Sequence, residues 1–158
     1  SVEIAVGAPG ASNGGIVYIL SVGGSGRVSH FSLIPSVDGN NIPVIQSQDF
    51  FGSGISMLGD VDGDGIRSDL VIGASKDSAV KSEYGALHVL KVAKDGTVGK
   101  HWKIASTASG GPARSINAQF GTCVNWIGDI DGNGIASELG VGALSDDEEG
   151  KNRGSVFI

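Results

Sequence analysis

A block of motifs returns in this chain after 69 residues, and that period limits the chain to folds assembled from like units. Phe51-Gly52 returns as Phe120-Gly121, and Asp60-Val61-Asp62-Gly63-Asp64-Gly65-Ile66 as Asp129-Ile130-Asp131-Gly132-Asn133-Gly134-Ile135. Gly73-Ala74 returns as Gly142-Ala143, and Tyr84-Gly85-Ala86-Leu87-His88-Val89 as Arg153-Gly154-Ser155-Val156-Phe157-Ile158. The tail of a further copy stands at the N-terminus. Glu3-Ile4-Ala5-Val6-Gly7-Ala8 matches residues 69–74 and 138–143, and Gly15-Ile16-Val17-Tyr18-Ile19 matches the strand that follows. The sequence predicts one domain, 1–158, made of a partial repeat 1–50, a repeat 51–119 and a partial repeat 120–158. That is roughly two and a third repeats, cut at both ends.

Each repeat reads as β-structure. Ile55 to Leu58, Leu70 to Ile72, Ala86 to Val92 and Val98 to Ile104 are short apolar runs between Gly, Asp and Ser. No segment sustains a helical period. Glycine, at 27 residues, supplies the many tight turns such a fold needs. Ile16-Val17-Tyr18-Ile19-Leu20 is apolar without alternation, which predicts a strand buried on both faces. About four such strands per repeat suit a propeller blade held between other blades. A solenoid is the alternative, but this repeat is long for one. The expected fold class is all-β, built of β-propeller blades. Closing a ring takes roughly four to eight blades, so the chain is expected to pack against further blades or further copies.

Composition narrows the partners. A net charge of -6 without a Lys/Arg cluster argues against nucleic acid. No apolar run approaches the ~20 residues of a membrane span, so no membrane insertion is expected. The single cysteine, Cys123, excludes an internal disulfide framework.

The acidic loops carry the chemistry. Asp60, Asp62 and Asp64 stand at alternate positions before Gly65. A tightly curled loop of this kind points three side-chain oxygens at one centre, the glycine permits the turn, and the next residue, Ile66, offers a carbonyl. Asp129, Asp131 and Asn133 repeat the arrangement before Gly134 and Ile135. Hard oxygen ligands at this density suit Ca²⁺. An EF-hand is excluded, because its twelfth position needs a bidentate Glu and holds Val71 or Gly140 here. Asp69 and Glu138, both at position ten, are the candidate closing acids. Polar β-turns would explain one such loop, but not two with the acids kept in register.

Phe51-Gly52, the loop Gly59 to Gly65, and Leu70-Val71-Ile72-Gly73-Ala74 together resemble the FG-GAP repeat of integrin α-subunit propellers, and residues 120 to 143 resemble a second one. The resemblance covers nearly the whole chain. It implies a ring of about seven blades, with calcium loops on one face and partner-binding loops on the other. It also implies two Ca²⁺ sites: Asp60, Asp62, Asp64 and Asp69 with the Ile66 carbonyl, and Asp129, Asp131, Asn133 and Glu138 with the Ile135 carbonyl. The family loop places its last Asp at position nine, where this chain has Ser68 or Ser137. The closing ligand is therefore open between the acid and the serine.

Other residues read as packing. Phe51 and Phe120 are expected between blades. Cys123, in register with Gly54, is expected to be a buried, inert thiol, and Trp126, in register with Met57, a core residue. Trp102 is open between core and surface. His30, His88 and His101 lack metal-ligand spacing and are expected in neutral strand or surface roles. The acidic run Ser145 to Gly150 is expected to be a solvated loop, with weak cation binding or a basic partner as the sharper reading. No Walker loop or Gly-x-Gly-x-x-Gly is present, and the chain is not expected to be an enzyme.

The function expected is that of a calcium-stabilised extracellular or cell-surface module. It would serve adhesion or surface assembly through contacts with other proteins or further blades of the same chain. The alternative is a non-catalytic propeller attached to an extracellular enzyme.

Overall fold

The computed structural model describes residues 2–34, 44–60, 65, 69–93, 97–133, 138–148 and 150–158. Its strands are β1 (Val2–Ala8), β2 (Ile16–Val22), β3 (Val28–Ile34), β4 (Phe51–Gly59), β5 (Asp69–Ala74), β6 (Ala86–Val92), β7 (Val98–Ile104), β8 (Phe120–Gly128), β9 (Glu138–Ala143) and β10 (Ser155–Phe157). They form three antiparallel sheets, in the orders β1-β2-β3, β4-β5-β6-β7 and β10-β9-β8. Each sheet is a meander of neighbours in sequence, as expected where short turns rich in Gly and Asp join adjacent strands. Helical structure among the described residues is confined to two short 3₁₀ turns, Ser12–Gly14 and Thr107–Ser109.

The repeat is visible in the hydrogen-bond register. Ala8 pairs with Ile16 and Ala74 with Ala86, and Ala143 pairs with Ser155. The first sheet therefore holds the counterparts of β5, β6 and β7, and the third those of β4, β5 and β6. The turns into β2, β6 and β10 each use a residue with positive φ two places before a glycine: Asn13, Glu83 and Asn152, at 66°, 40° and 54°.

Two apolar layers separate the three sheets. Val17, Ile19 and Ile34 of the first sheet pack with Phe51, Leu70, Ile72 and Leu90 of the central one. On its other face, Leu58, Val71 and Leu87 pack with Phe120, Val124, Val141 and Ala143 of the third. Phe51 and Phe120 lie between sheets, as their sequence suggests. Phe51 meets His88 edge-on at 5.3 Å, and Phe120 meets Phe157 at 5.6 Å, so one ring pair recurs a repeat apart.

The two glycines of the recurring motif bring these sheets into contact. A Cβ on Gly7 would lie 2.1 Å from the Gly52 carbonyl oxygen, and one on Gly73 would lie 1.9 Å from that of Gly121. Gly52 and Gly121 themselves have φ of 93° and 89°, which excludes ordinary side chains. The Phe-Gly of one repeat thus seats its backbone on the Gly-Ala of the repeat before.

Three expectations are corrected here. Cys123 is exposed, not buried. Its counterpart Gly54 is covered by the third sheet, where a Cβ would meet the Val124 nitrogen at 2.8 Å, but Cys123 points from the outer face of that sheet, which no described residue covers. Trp126 is 45% exposed and Met57 57%, so neither is a core residue. β2 is not buried on both faces: Val17 and Ile19 are buried, whereas Ile16, Tyr18 and Leu20 on its other face are half-buried. Trp102 is 47% exposed.

A candidate metal centre

The two acidic loops close equivalent hairpins. Gly59 pairs with Asp69 at the end of β4 and β5, and Gly128 pairs with Glu138 at the end of β8 and β9. Both glycines have positive φ, 82° and 79°, so the chain leaves each strand by the same turn. The position-ten acids therefore stand on strand ends, opposite the residue that precedes the first loop aspartate.

In the second loop, the structure brings Asp129, Asp131 and Glu138 together. Each offers a carboxylate oxygen, and these oxygens all lie within 4.8 Å of one another. Ca²⁺ holds its oxygens at about 2.3–2.6 Å, so ligands on one ion stand up to ~5 Å apart, and this triad fits that span. Backbone amides curl the loop around it. Asn133 N–H donates to Asp129 Oδ1 and to Asp131 Oδ1, both at 3.0 Å, and Ile130 N–H donates to Glu138 Oε2 at 3.0 Å. Asn133 Nδ2 donates to Asp131 Oδ2 at 2.9 Å, so the amide must turn its oxygen inward to serve as a ligand. Asp129 and Asp131 are exposed and Glu138 is half-buried, which leaves room for water on a bound ion.

In the first loop, Asp60 Oδ2 accepts the Gly65 N–H at 2.8 Å, a bond that spans the loop's curl. Asp69 is buried, 4% exposed. Asp62, Asp64, Ile66 and Ser68 lie outside the described residues, as do Ile135 and Ser137 of the second loop.

A second group of polar residues lies on β6, β7 and the turn after β5, where the sequence singled out no site. Asp77 is buried and pairs with Lys103. His88 is fully buried, its Nδ1 is 3.2 Å from His101 Nε2, and its own Nε2 has no hydrogen-bond partner among the described residues. Burial, then the positive Lys103 and the neighbouring His101, push its pKa down to about 3, so the ring is neutral. Burial and Lys103 lower His101 as well, whereas burial raises the Asp49 carboxyl. One repeat on, Asp146 is also buried, which corrects the expectation that the whole run Ser145 to Gly150 is solvated. Burial raises its pKa, but the Ser115 hydroxyl and amide, the Ser155 hydroxyl and the Asp147 amide outweigh that and hold it below the ordinary value. The signal that points to Asp77 and Asp146 in the sequence is their shared register, 69 residues apart.

Compared with known proteins, the chain matches no family model and no curated relative. Among the described residues, no helix is long and apolar enough to cross a membrane.

Proposed function

We propose that this chain is a calcium-stabilised stretch of a β-propeller that acts outside the cell as a binding or assembly module. The observation that carries the reading is the triad of Asp129, Asp131 and Glu138 within 4.8 Å, on a loop whose counterpart closes the neighbouring sheet in the same register. Three carboxylates this close repel one another unless a cation joins them. Oxygen-only ligands, partly open to water, favour Ca²⁺ over softer metals.

The blade reading is supported by how the sheets stack. Sheets of three or four strands lie face to face through repeated Gly-Gly contacts, and the flanking sheets carry exposed apolar residues. Val2, Ile4 and Val6 on the first sheet and Val156 on the third are exposed. Further sheets of the same kind, closing a ring of about seven, would cover them. Calcium at the loops would then stiffen one rim, leaving the opposite turns to contact other proteins.

Calcium titration by calorimetry tests the reading. Two ions are expected, with one lost in Asp131→Ala. No heat on titration, together with no change in Tm on adding a chelator, would overturn it.

A further inference from the structure

The turn before β4 and the turn after β5 border a cavity of about 480 Å³, at the ends of these strands away from the acidic loops. That volume lies within the roughly 300–1,000 Å³ of small-molecule sites. Asp49, Phe50, Lys76 and Glu83 stand in its wall, and Gln46 and Gln48 add two exposed amides.

The next repeat builds the same backbone with different side chains. Lys76 N–H donates to the Asp49 carbonyl at 3.0 Å, and Ser145 N–H to that of Ala118 at 3.1 Å. Ser53 N–H donates to the Phe50 carbonyl at 3.1 Å, and Thr122 N–H to that of Gln119 at 3.3 Å. Gln48 and Phe50 have φ of 75° and 59°, and Asn117 and Gln119 have 63° and 57°. Ala118 and Gln119 therefore hold the places of Asp49 and Phe50. Ala118 is fully buried, so a methyl group is enough for the turn to form there.

Asp49 is 4% exposed. Its Oδ2 accepts the Gln46 N–H at 2.7 Å, but Oδ1 accepts no hydrogen bond from a described residue. A buried carboxylate oxygen without a donor is costly, and the fold does not call for one at this place. The charges beside it are already answered. Lys76 Nζ is 3.5 Å from Glu83 Oε1 and 4.8 Å from the centroid of the Phe50 ring, and Gln119 Nε2 donates to Glu83 Oε2 at 2.7 Å. The wall thus offers one open carboxylate oxygen, two amides and an aromatic ring, with its cation paired.

We propose that this cavity binds a neutral saccharide, with one sugar hydroxyl donating to Asp49 Oδ1, the Gln46 and Gln48 amides bonding its neighbours, and Phe50 packing against the C–H groups. A hydroxyl both donates and accepts, so adjacent hydroxyls suit a carboxylate beside amides. An anionic ligand would face Asp49 and Glu83, and a basic one the Lys76 ammonium. The inference goes beyond the calcium reading and requires no metal at this rim, so a failed calcium titration leaves it standing.

The probes are methyl α-D-mannoside, methyl β-D-galactoside, methyl β-D-glucoside and N-acetyl-D-glucosamine, with N-acetyl-lysine amide as the basic comparison. Each is titrated into the isotope-labelled full chain and followed by the NMR shifts of backbone amides. At least one sugar is expected to bind at millimolar concentration and to shift the amides of residues 46–50 and 76. Asp49→Ala and Phe50→Gln copy Ala118 and Gln119. The first is expected to weaken that sugar at least about tenfold, the effect of one hydrogen bond to a charged group, and the second to weaken it less. Because the sugar is first mapped on the unaltered chain, the outcome does not depend on how a variant folds. No shift with any of the sugars, shifts confined to other residues, tighter binding of the lysine amide than of every sugar, or undiminished sugar binding in Asp49→Ala would overturn the proposal.

Discussion

Arg114 lies over Tyr84, its guanidinium carbon 4.0 Å from the ring centroid, while its Nε donates to the Tyr84 carbonyl at 3.1 Å. The same head reaches the Gly85, Ala105 and Pro112 carbonyls at 2.8 Å and stands 4.3 Å from the Phe120 ring. Burial lowers its pKa, with Tyr84, Asp146 and Asp77 opposing the shift. One buried cation thus joins turns of the central sheet to the first residue of the third.

Arg114→Lys is therefore expected to be far from conservative. An ammonium lacks the planar fork that serves several carbonyls while stacking on a ring. The expected loss is about 2–3 kcal/mol, since buried carbonyls are left unpaired. Urea unfolding measures it. In the preceding repeat Ile45 holds this place, so Ile45→Ala reports the purely apolar version of the same slot.

Gly73→Ala is expected to push the central and third sheets apart. Its Cβ would meet backbone, not a movable side chain, and overpacking of this kind costs about 1–3 kcal/mol or more. Gly10→Ala is the control, because no atom lies within 4 Å of its Cβ position. The Tm is expected to fall in the first variant and hold in the second.

Acid is expected to destabilise the contact between the first and central sheets through His88. Its folded pKa, about 3, lies below the ordinary 6.5, so the unfolded chain binds the extra proton. The contribution is complete above pH 6.5 and lost as pH falls toward 3, up to about 5 kcal/mol. His88→Phe, which copies the third sheet, is expected to flatten the Tm profile between pH 6.5 and 4. An unchanged slope would place the acid sensitivity elsewhere.

Calcium is expected to raise the Tm by roughly 5–10 °C per site at a hundredfold excess over Kd, the equivalent of about 2.7 kcal/mol. The first loop offers Asp60, Asp62, Asp64 and Asp69, while Asn133 removes one charge from the second. Calcium is therefore expected to bind more weakly to Asp62→Ala, which keeps only the second loop, than to Asp131→Ala. The reverse order would show that Glu138, with its longer reach, outweighs the charge count.

Strand positions and the two phenylalanines between the sheets were legible in the sequence, and most other contacts across layers were not. β6 and β7 have the ends that their apolar runs and flanking turns predict. β4 begins at Phe51, four residues before its apolar run, because glycines that look like a turn signal serve a close approach between sheets. The register that aligns Cys123 with Gly54 is right, but register does not reveal which face is covered. Asp77, Asp146 and Arg114 stayed hidden because their burial depends on partners in other strands and turns. A local pattern shows such residues only as polar turn positions.

The central sheet has packed neighbours on both faces, and Val71, Ile72 and Ala74 of β5 are wholly buried. The flanking sheets have one packed face each among the described residues. Local opening of an amide requires losing the cover on its own sheet, so protection from solvent exchange is expected to be greatest along β5 and β6. It then declines outward, and deuterium enters the molecule from its two ends, reaching the middle last.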